Sequence, residues 1–350
     1  MPPAAPRKFR PMTHTFPTRL ARSLRVATLA VLSFVWAGHG SRLYAAGEEV
    51  AVVVKIGGIP WFTVMEKGIR QAGMETNLNA SMVGPTTADP AQQVRAVEDL
   101  IARKVRVIAV VPNDATALEP VFARARAAGI AVLTHESPNQ RGADWDLEMM
   151  DNDEFAAKNM TRLAQAMGGE GEYIVFVGSL TVPLHNLWAD SAIAYQRAHF
   201  PKMHLVADRF GVAESVDDSF NTTSDSLLSH PNLKGILTFG SQGPIGAGRA
   251  VRERGLTGKV AVVGGFSPTQ GRKLLKEGVI AEGFFFNPRE AGYALVYVAK
   301  MIVDGTPIRD GFEIPGLGRA KVDADRHVIR FDRIHSLNRD TIDEFAALGL

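Results

Sequence analysis

Cysteine is absent from the 350 residues. With it go disulfide frameworks, thiol catalysis, Cys-ligated zinc, iron–sulfur clusters and the lipidated cysteine of a bacterial lipoprotein. An excess of one charge is missing as well, since 39 Lys plus Arg stand against 37 Asp plus Glu, a net of +2. Nucleic acid would want a concentrated basic stripe, so no such partner is expected. The chain also lacks the Gly-x-Gly-x-x-Gly dinucleotide fingerprint and the Gly-Lys-Ser/Thr phosphate loop, which weakens any nucleotide-dependent enzyme. Gly265-Phe266-Ser267-Pro268-Thr269 opens like a nucleophile elbow but has no final Gly. Histidines are dispersed, without His-Glu-x-x-His or another metal spacing, so no metal, cofactor or catalytic residue is expected. What remains is a hydrophobic content of 46%, too high for a disordered chain. The length favours two domains, because one core stops growing at about 250 to 300 residues.

Six basic residues, Arg7, Lys8, Arg10, Arg19, Arg22 and Arg25, precede an apolar run from Val26 to Ala37, and small residues follow at Ala45 and Ala46. That order is the order of a secretory signal peptide. A bilayer core of about 30 Å needs roughly twenty helical residues, and this run is shorter. Residues 1–46 are therefore read as a signal peptide cleaved near Ala46, and the remainder as exported and soluble.

From Val50 onward, short β-branched runs alternate with segments of helical period. Val50–Lys55, Ala80–Val83, Arg106–Val111 and Ile130–Thr134 are apolar on both faces, as buried parallel strands are. Asp89-Pro90 with Gln92 supplies a helix cap, and Val94, Val97, Leu100 and Ile101 one apolar face. Thr63–Asn77 and Ala115–Ala128 read as further helices. The pattern then restarts, with candidate strands at Tyr173–Val177, His204–Phe210, Gly235–Phe239, Val260–Gly264 and Phe284–Phe286. Helical segments fall between them at 186–199, 215–228, 244–254, 269–277 and, last, 290–303. Two successive open α/β units joined around residues 145–152 are the most economical architecture. Open sheets of this kind bind ligands beyond the carboxyl ends of their strands.

Lys55-Ile56-Gly57-Gly58-Ile59-Pro60-Trp61-Phe62 follows the first strand. Trp61 and Phe62 offer apolar faces to the C–H side of a sugar ring, or equally cap the core at a helix start. Asn113 and Asp114 end the third strand, where Asp114 suits the helix cap better than a ligand. Glu136 ends the fourth and precedes no helix, which makes it the better ligand candidate. A carboxylate accepts two hydroxyl hydrogen bonds at once, a match to vicinal diols. In the second unit, His185 and Asn186, Gln242, Ser267 and Asn287 stand at the corresponding ends, in Gly-rich turns whose backbone N–H groups suit hydroxyl or anionic oxygens. Glu214, Asp217 and Asp218 read as helix-surface charge.

An export segment, two α/β halves, Trp-Phe after the first strand and polar strand ends together resemble the type I periplasmic binding proteins of carbohydrate ABC transporters. The branch with the autoinducer-2-binding and rhamnose-binding proteins is the nearest in pattern. The stretches that carry the resemblance are Lys55 to Phe62, Val83-Gly84-Pro85-Thr86, Asp99 to Pro112, Leu133 to Ser137, Thr181 to Trp188 and Val263 to Pro268. It implies two Rossmann-like lobes with open parallel sheets, 47–150 with part of 287–330 and 151–286, joined by a three-crossing hinge near 146–151, 284–287 and 330–333. Residues 287–350 would return across that hinge. It further implies a cleft ligand and no enzymatic step, delivery to a permease at the inner membrane, and residence in the periplasm. Lys55 matches a ligand-contacting lysine of the autoinducer-2 binders, and Glu136 stands where they carry an aspartate. Leu184 and His185 replace their acidic and amide pair, and Gly240 and Gln242 their Pro and Ala. A related sugar, polyol or sugar-like solute is thus the expected ligand, with autoinducer-2 or sugar processing as alternatives. Amino-terminal sequencing of the exported protein is expected to start near Gly47; a start near Met1 or Met12 would contradict the signal-peptide reading.

Overall fold

The computed structural model describes residues 48–350. The first-half strands are β1 (Glu49–Val53), β2 (Asn79–Val83), β3 (Val107–Val110), β4 (Ala131–His135) and β5 (Trp145–Glu148). Between them run α1 (Pro60–Thr76), α2 (Pro90–Arg103) and α3 (Ala115–Ala127). After β5 come α4 (Asn152–Met167), β6 (Gly171–Val177), α5 (Pro183–His199), β7 (Met203–Leu205), β8 (Phe210–Gly211) and α6 (Val216–Ser229). They are followed by β9 (Leu233–Thr238), α7 (Gly243–Glu253), β10 (Ala261–Gly264), α8 (Pro268–Lys276), β11 (Ile280–Phe285) and α9 (Pro288–Val303). Short pieces close the chain: β12 (Glu313–Ile314), β13 (Gly318–Arg319), β14 (Lys321–Asp323), β15 (Val328–Arg330), β16 (His335–Leu337) and α10 (Ile342–Ala347).

Two sheets result, ordered β14-β15-β5-β4-β3-β1-β2 and β16-β11-β10-β9-β6-β7, with β8 also on β6. Every pairing within them is parallel except β14 on β15 and β16 on β11. The apolar strands have a physical reason. Val50, Val52 and Val54 bury one face of the first sheet in the cluster that holds Phe62 and Ile69 of α1 and Leu295 of α9. Ala51 and Val53 bury the other against Val97 of α2 and Phe122 of α3. In β6, Tyr173, Val175 and Val177 face the cluster of α4 and α5, and Ile174 and Phe176 face that of α7 and α8. Helices on both faces thus turn strands into continuous hydrophobic runs.

The chain crosses between the sheets three times, from β5 to α4, from β11 to α9 and from β15 to β16. This is the two-lobed α/β fold with a three-crossing hinge. Ion pairs brace the crossings: Arg333 grips Glu290 with contacts of 2.9 and 2.6 Å, and Arg330 pairs with Asp151. The structure departs from the sequence expectation at several elements. β5 fills the region read only as a joint, because Trp-Asp-Leu-Glu carries two carboxylates and no apolar run, and α4 follows it where no helix was read. Residues 204–210 form two short strands on β6 instead of one. The two- and three-residue ladders from β12 to β16 are too short for any period to register. The proposed signal peptide lies outside the described residues, among which no helix is long and apolar enough to cross a membrane.

Helices α1 and α9 meet backbone to backbone, where a Cβ on Gly68 would lie 1.9 Å from the Arg289 carbonyl oxygen and one on Gly292 2.4 Å from that of Met65. Only glycine permits that approach. Gly68→Val is expected to cost at least the roughly 1–3 kcal/mol typical of overpacking, read as a lower urea midpoint with an unchanged slope; an unaltered midpoint would contradict the packing.

Candidate functional site

Lys55 follows the wholly buried end of β1 and is itself only 3% exposed. An ammonium there is costly unless it is paired and hydrogen-bonded. Glu136 Oε2 lies 2.7 Å from Lys55 Nζ and Glu214 Oε1 at 3.4 Å. Glu136 leaves β4 at a φ of 63°, left-handed for a residue that is not glycine. Such strain persists only where the surroundings hold it, and it turns the side chain to the cation. His185, in the first turn of α5, sets Nε2 2.9 Å from the same Nζ, while its Nδ1 accepts from the Gly178 N–H at 3.0 Å. Two groups of the second lobe therefore meet one cation of the first. Thr181 adds a further bond across the cleft, its hydroxyl donating to the Asn113 carbonyl at 2.9 Å. The two lobes are closed on one another.

Burial works against every charge in this cluster, and the neighbours decide the outcome. It would lower the Lys55 ammonium, but Glu136 and Glu214 more than offset it and hold the group above its ordinary value. It would raise Glu136, yet Lys55, His135 and His185 bring that carboxyl down to about 2. Glu214 is left raised, by burial and by Glu136, against the pull of Lys55. Burial and then Lys55 lower His185 to about 3, so the ring is neutral. Behind them Asp146 and Glu148 are buried on one face of β5 and both raised, chiefly by burial.

Around this polar cluster lies a cavity with about 460 Å³ of space free of atoms, the open solvent at its mouth included. Two aromatic groups wall it. Trp61 meets Phe285 and Phe286 edge-on at 6.3 and 5.2 Å, just where β11 runs into the second crossing. Phe155 of α4, Trp188 of α5 and Phe239 after β9 pack within 4.6 to 6.2 Å of one another. Thr238, Gly240 and Ser241 complete the second-lobe side. Gly240 has a φ of 141°, and a Cβ there would lie 2.7 Å from that of Ala213.

Of the residues singled out from sequence, Lys55, Trp61, Phe62, Glu136 and His185 line this cavity. The others do not. Asn113 Nδ2 donates to the Lys55 carbonyl at 2.7 Å, and its own N–H reaches Gln93 Oε1 at 2.8 Å, so it holds the backbone beneath the cation. Asp114 caps α3 by accepting from the Ala117 N–H at 2.9 Å. Asn186 turns its amide to the Ser179 and Val182 carbonyls. Gln242 faces Ser241 and Gln270, and Ser267 faces Thr269. Asn287 caps α9 and borders a separate surface hollow with Glu75 and Tyr293.

Glu214 corrects the surface reading: Asp217 and Asp218 are exposed in the first turn of α6, but Glu214 is buried beside Lys55. It lies past the end of β8, and the strand-end rule applied there would have found it. Phe155, Trp188 and Phe239 carried no signal, because aromatics at such positions usually serve a core. Among the described residues no group of three or more acidic or histidine side chains could hold a metal.

The model of the "Periplasmic binding protein domain" matches residues 50–307. The D-allose-binding periplasmic protein of Escherichia coli is 25% identical over 259 residues, 71% of this chain and 82% of that one. The ribose import binding protein RbsB of Salmonella typhimurium is 22% identical, covering 77% and 89%. An ABC transporter solute-binding protein from Clostridium phytofermentans, solved with L-rhamnose, superposes with a TM-score of 0.80 at 24% identity, over 87% of this chain and all of that one. LsrB from Clostridium saccharobutylicum, in complex with AI-2, gives 0.78 at 18% identity, over 85% and 99%.

The neutral ring of His185 has a consequence for acid stability. Its folded value of about 3 lies below the ordinary 6.5, so the unfolded chain binds the extra proton and stability falls as pH drops through that window. His185→Phe keeps a ring against Trp188. Urea titrations between pH 6.5 and 4.5 should give this variant a shallower loss than the parent, by at most about 1.4 kcal/mol per pH unit; equal slopes would show that His185 is not held neutral.

Proposed function

The chain belongs to the periplasmic binding protein domain family, and on that premise we propose that it is the solute-binding component of an ABC importer. It takes a sugar, polyol or sugar-like solute into the cleft between its lobes and hands it unchanged to a membrane permease. The chain is exported to the periplasm after cleavage near Ala46.

One observation carries this reading. The polar cluster is split between the lobes, with Lys55 and Glu136 on one side and His185 and Glu214 on the other, and the aromatic wall is built partly from the crossing itself. A ligand that touches both sides binds the closed form better than the open one, and closure follows from that difference in affinity. A permease then needs only to read the closed pair of lobes. Trp61 offers a ring face for stacking, and the carboxylates accept from hydroxyls.

A thermal-shift screen against pentoses, hexoses, deoxysugars, polyols and autoinducer-2 tests the reading, because ligand at 100 times its dissociation constant adds about 2.7 kcal/mol of apparent stability. For the solute that responds, Trp61→Ala should weaken binding severely in a folded protein. Glu136→Gln should cost more affinity than Asp114→Asn, which only loosens a helix cap. Equal losses, or full affinity without Trp61, would contradict these assignments.

A further inference from the structure

The chemistry of the lining narrows the class of solute. Lys55 is the only Lys or Arg among the residues that line the cavity, and Glu136 at 2.7 Å and Glu214 at 3.4 Å already neutralise it. A carboxylate or phosphate on a guest would meet two like charges inside a wall that screens them poorly. No second cation in the lining could compensate.

The remaining lining is largely unable to pair with hydroxyls. Eight of its sixteen residues are Phe or Trp. Trp188 spends its indole N–H on Asn152 at 2.8 Å. A guest hydroxyl turned to the phenylalanines would be desolvated without a partner, whereas a methyl or methylene group would be at home there.

Sites for a few oxygens do exist, and they lie together. Because His185 Nδ1 accepts from Gly178, a neutral ring carries its proton on Nε2, which faces the Lys55 ammonium donor to donor at 2.9 Å. An acceptor oxygen brought between them satisfies both. Thr238 Oγ1 is fully buried with no hydrogen-bond partner among the described residues, on a side chain that lines the same cavity. The polar edge is therefore short: the carboxylates of Glu136 and Glu214 accept from hydroxyls, and Lys55, His185 and Thr238 ask for one acceptor and one or two further oxygens.

We propose that this site, taken as the sugar-binding cleft described above, selects uncharged deoxygenated sugars. The guest sets two or three oxygens against Lys55, His185 and Thr238, turns a methyl or methylene carbon to the phenylalanine wall, and is refused if it carries a carboxylate or phosphate.

Isothermal titration of the ligand-free mature chain against sugars that differ only at C6 tests this: D-fucose, D-galactose and D-galacturonate; D-quinovose, D-glucose and D-glucuronate; L-rhamnose and L-mannose. In the series that binds, the 6-deoxy sugar should be tighter than its hydroxylated parent by about ten-fold or more, and the uronate should give no heat. A uronate that binds as well as its parent, or a parent tighter than its deoxy form, would overturn the selectivity. So would binding confined to fully hydroxylated pentoses or polyols, which leaves the sugar reading standing. Silence across the whole sugar and polyol panel overturns that reading and this inference with it. Glu214→Gln and Glu136→Gln each free part of the Lys55 charge, and in either variant that keeps its circular dichroism the uronate should give measurable heat where the parent protein gives none. No heat in both would show that charge is not the cause of the refusal.

Discussion

A buried ammonium must be paired, and in this chain the pairing is done across the cleft. Lys55 sits at the carboxyl end of β1 with one carboxylate from its own lobe and one from the other. Replacing Lys55 alone would leave two buried carboxylates without a cation, and such uncompensated charge is among the most destabilising defects a protein interior can carry. The cluster thus couples three requirements: the fold must bring the carboxyl ends of β1 and β4 together across β3, α5 and the β8–α6 loop must reach over, and the hinge must let them meet. The parallel register β1–β3–β4 meets the first, and Asn113 and Gln93 pin the strand ends on which Lys55 stands.

The hinge is part of the site as much as a connector to it. Phe284, Phe285 and Phe286 lead into the crossing to α9 and line the cavity as they do so. Trp61 packs against two of them. Whatever occupies the cavity therefore bears on the segment about which the lobes turn. Domain closure is absorbed by a few residues at element ends, and here those residues are bulky, apolar and in the binding wall. The ion pairs Arg333–Glu290 and Arg330–Asp151 lie at the crossings, where they constrain the geometry without desolvating a charge fully.

Much of the fold was legible because each strand is covered on both faces. Val50–Val53 and Val107–Val110 announce themselves as apolar runs, and Asp89-Pro90 and Asp114 announce their helix starts. β5 was not legible, since Asp146 and Glu148 occupy inward positions where a strand normally shows aliphatic residues. The site was legible in part. Lys55, Trp61, Phe62, Glu136 and His185 follow strand ends in the chain, and the strand-end rule finds such residues. Asn287 and Ser267 obey the same rule and yet face elsewhere, because the rule places a loop and not a rotamer.

The sequence by itself determined that a repeated βα pattern makes two open parallel sheets, that the first β-strand ends in a lone cation, and that the fourth ends in a carboxylate with no helix to cap. Those are local matters of period, capping and chain order. Only the tertiary structure decided that Glu214 leaves the surface, that His185 spends its Nδ1 on Gly178, and that Phe155, Trp188 and Phe239 form a wall. The pairing of Glu214 and the aromatic wall depend on contacts between residues tens to more than a hundred positions apart, and even the seven-residue link from Gly178 to His185 needs the turn that folds between them; spacing along a chain carries no record of which groups close on the same point.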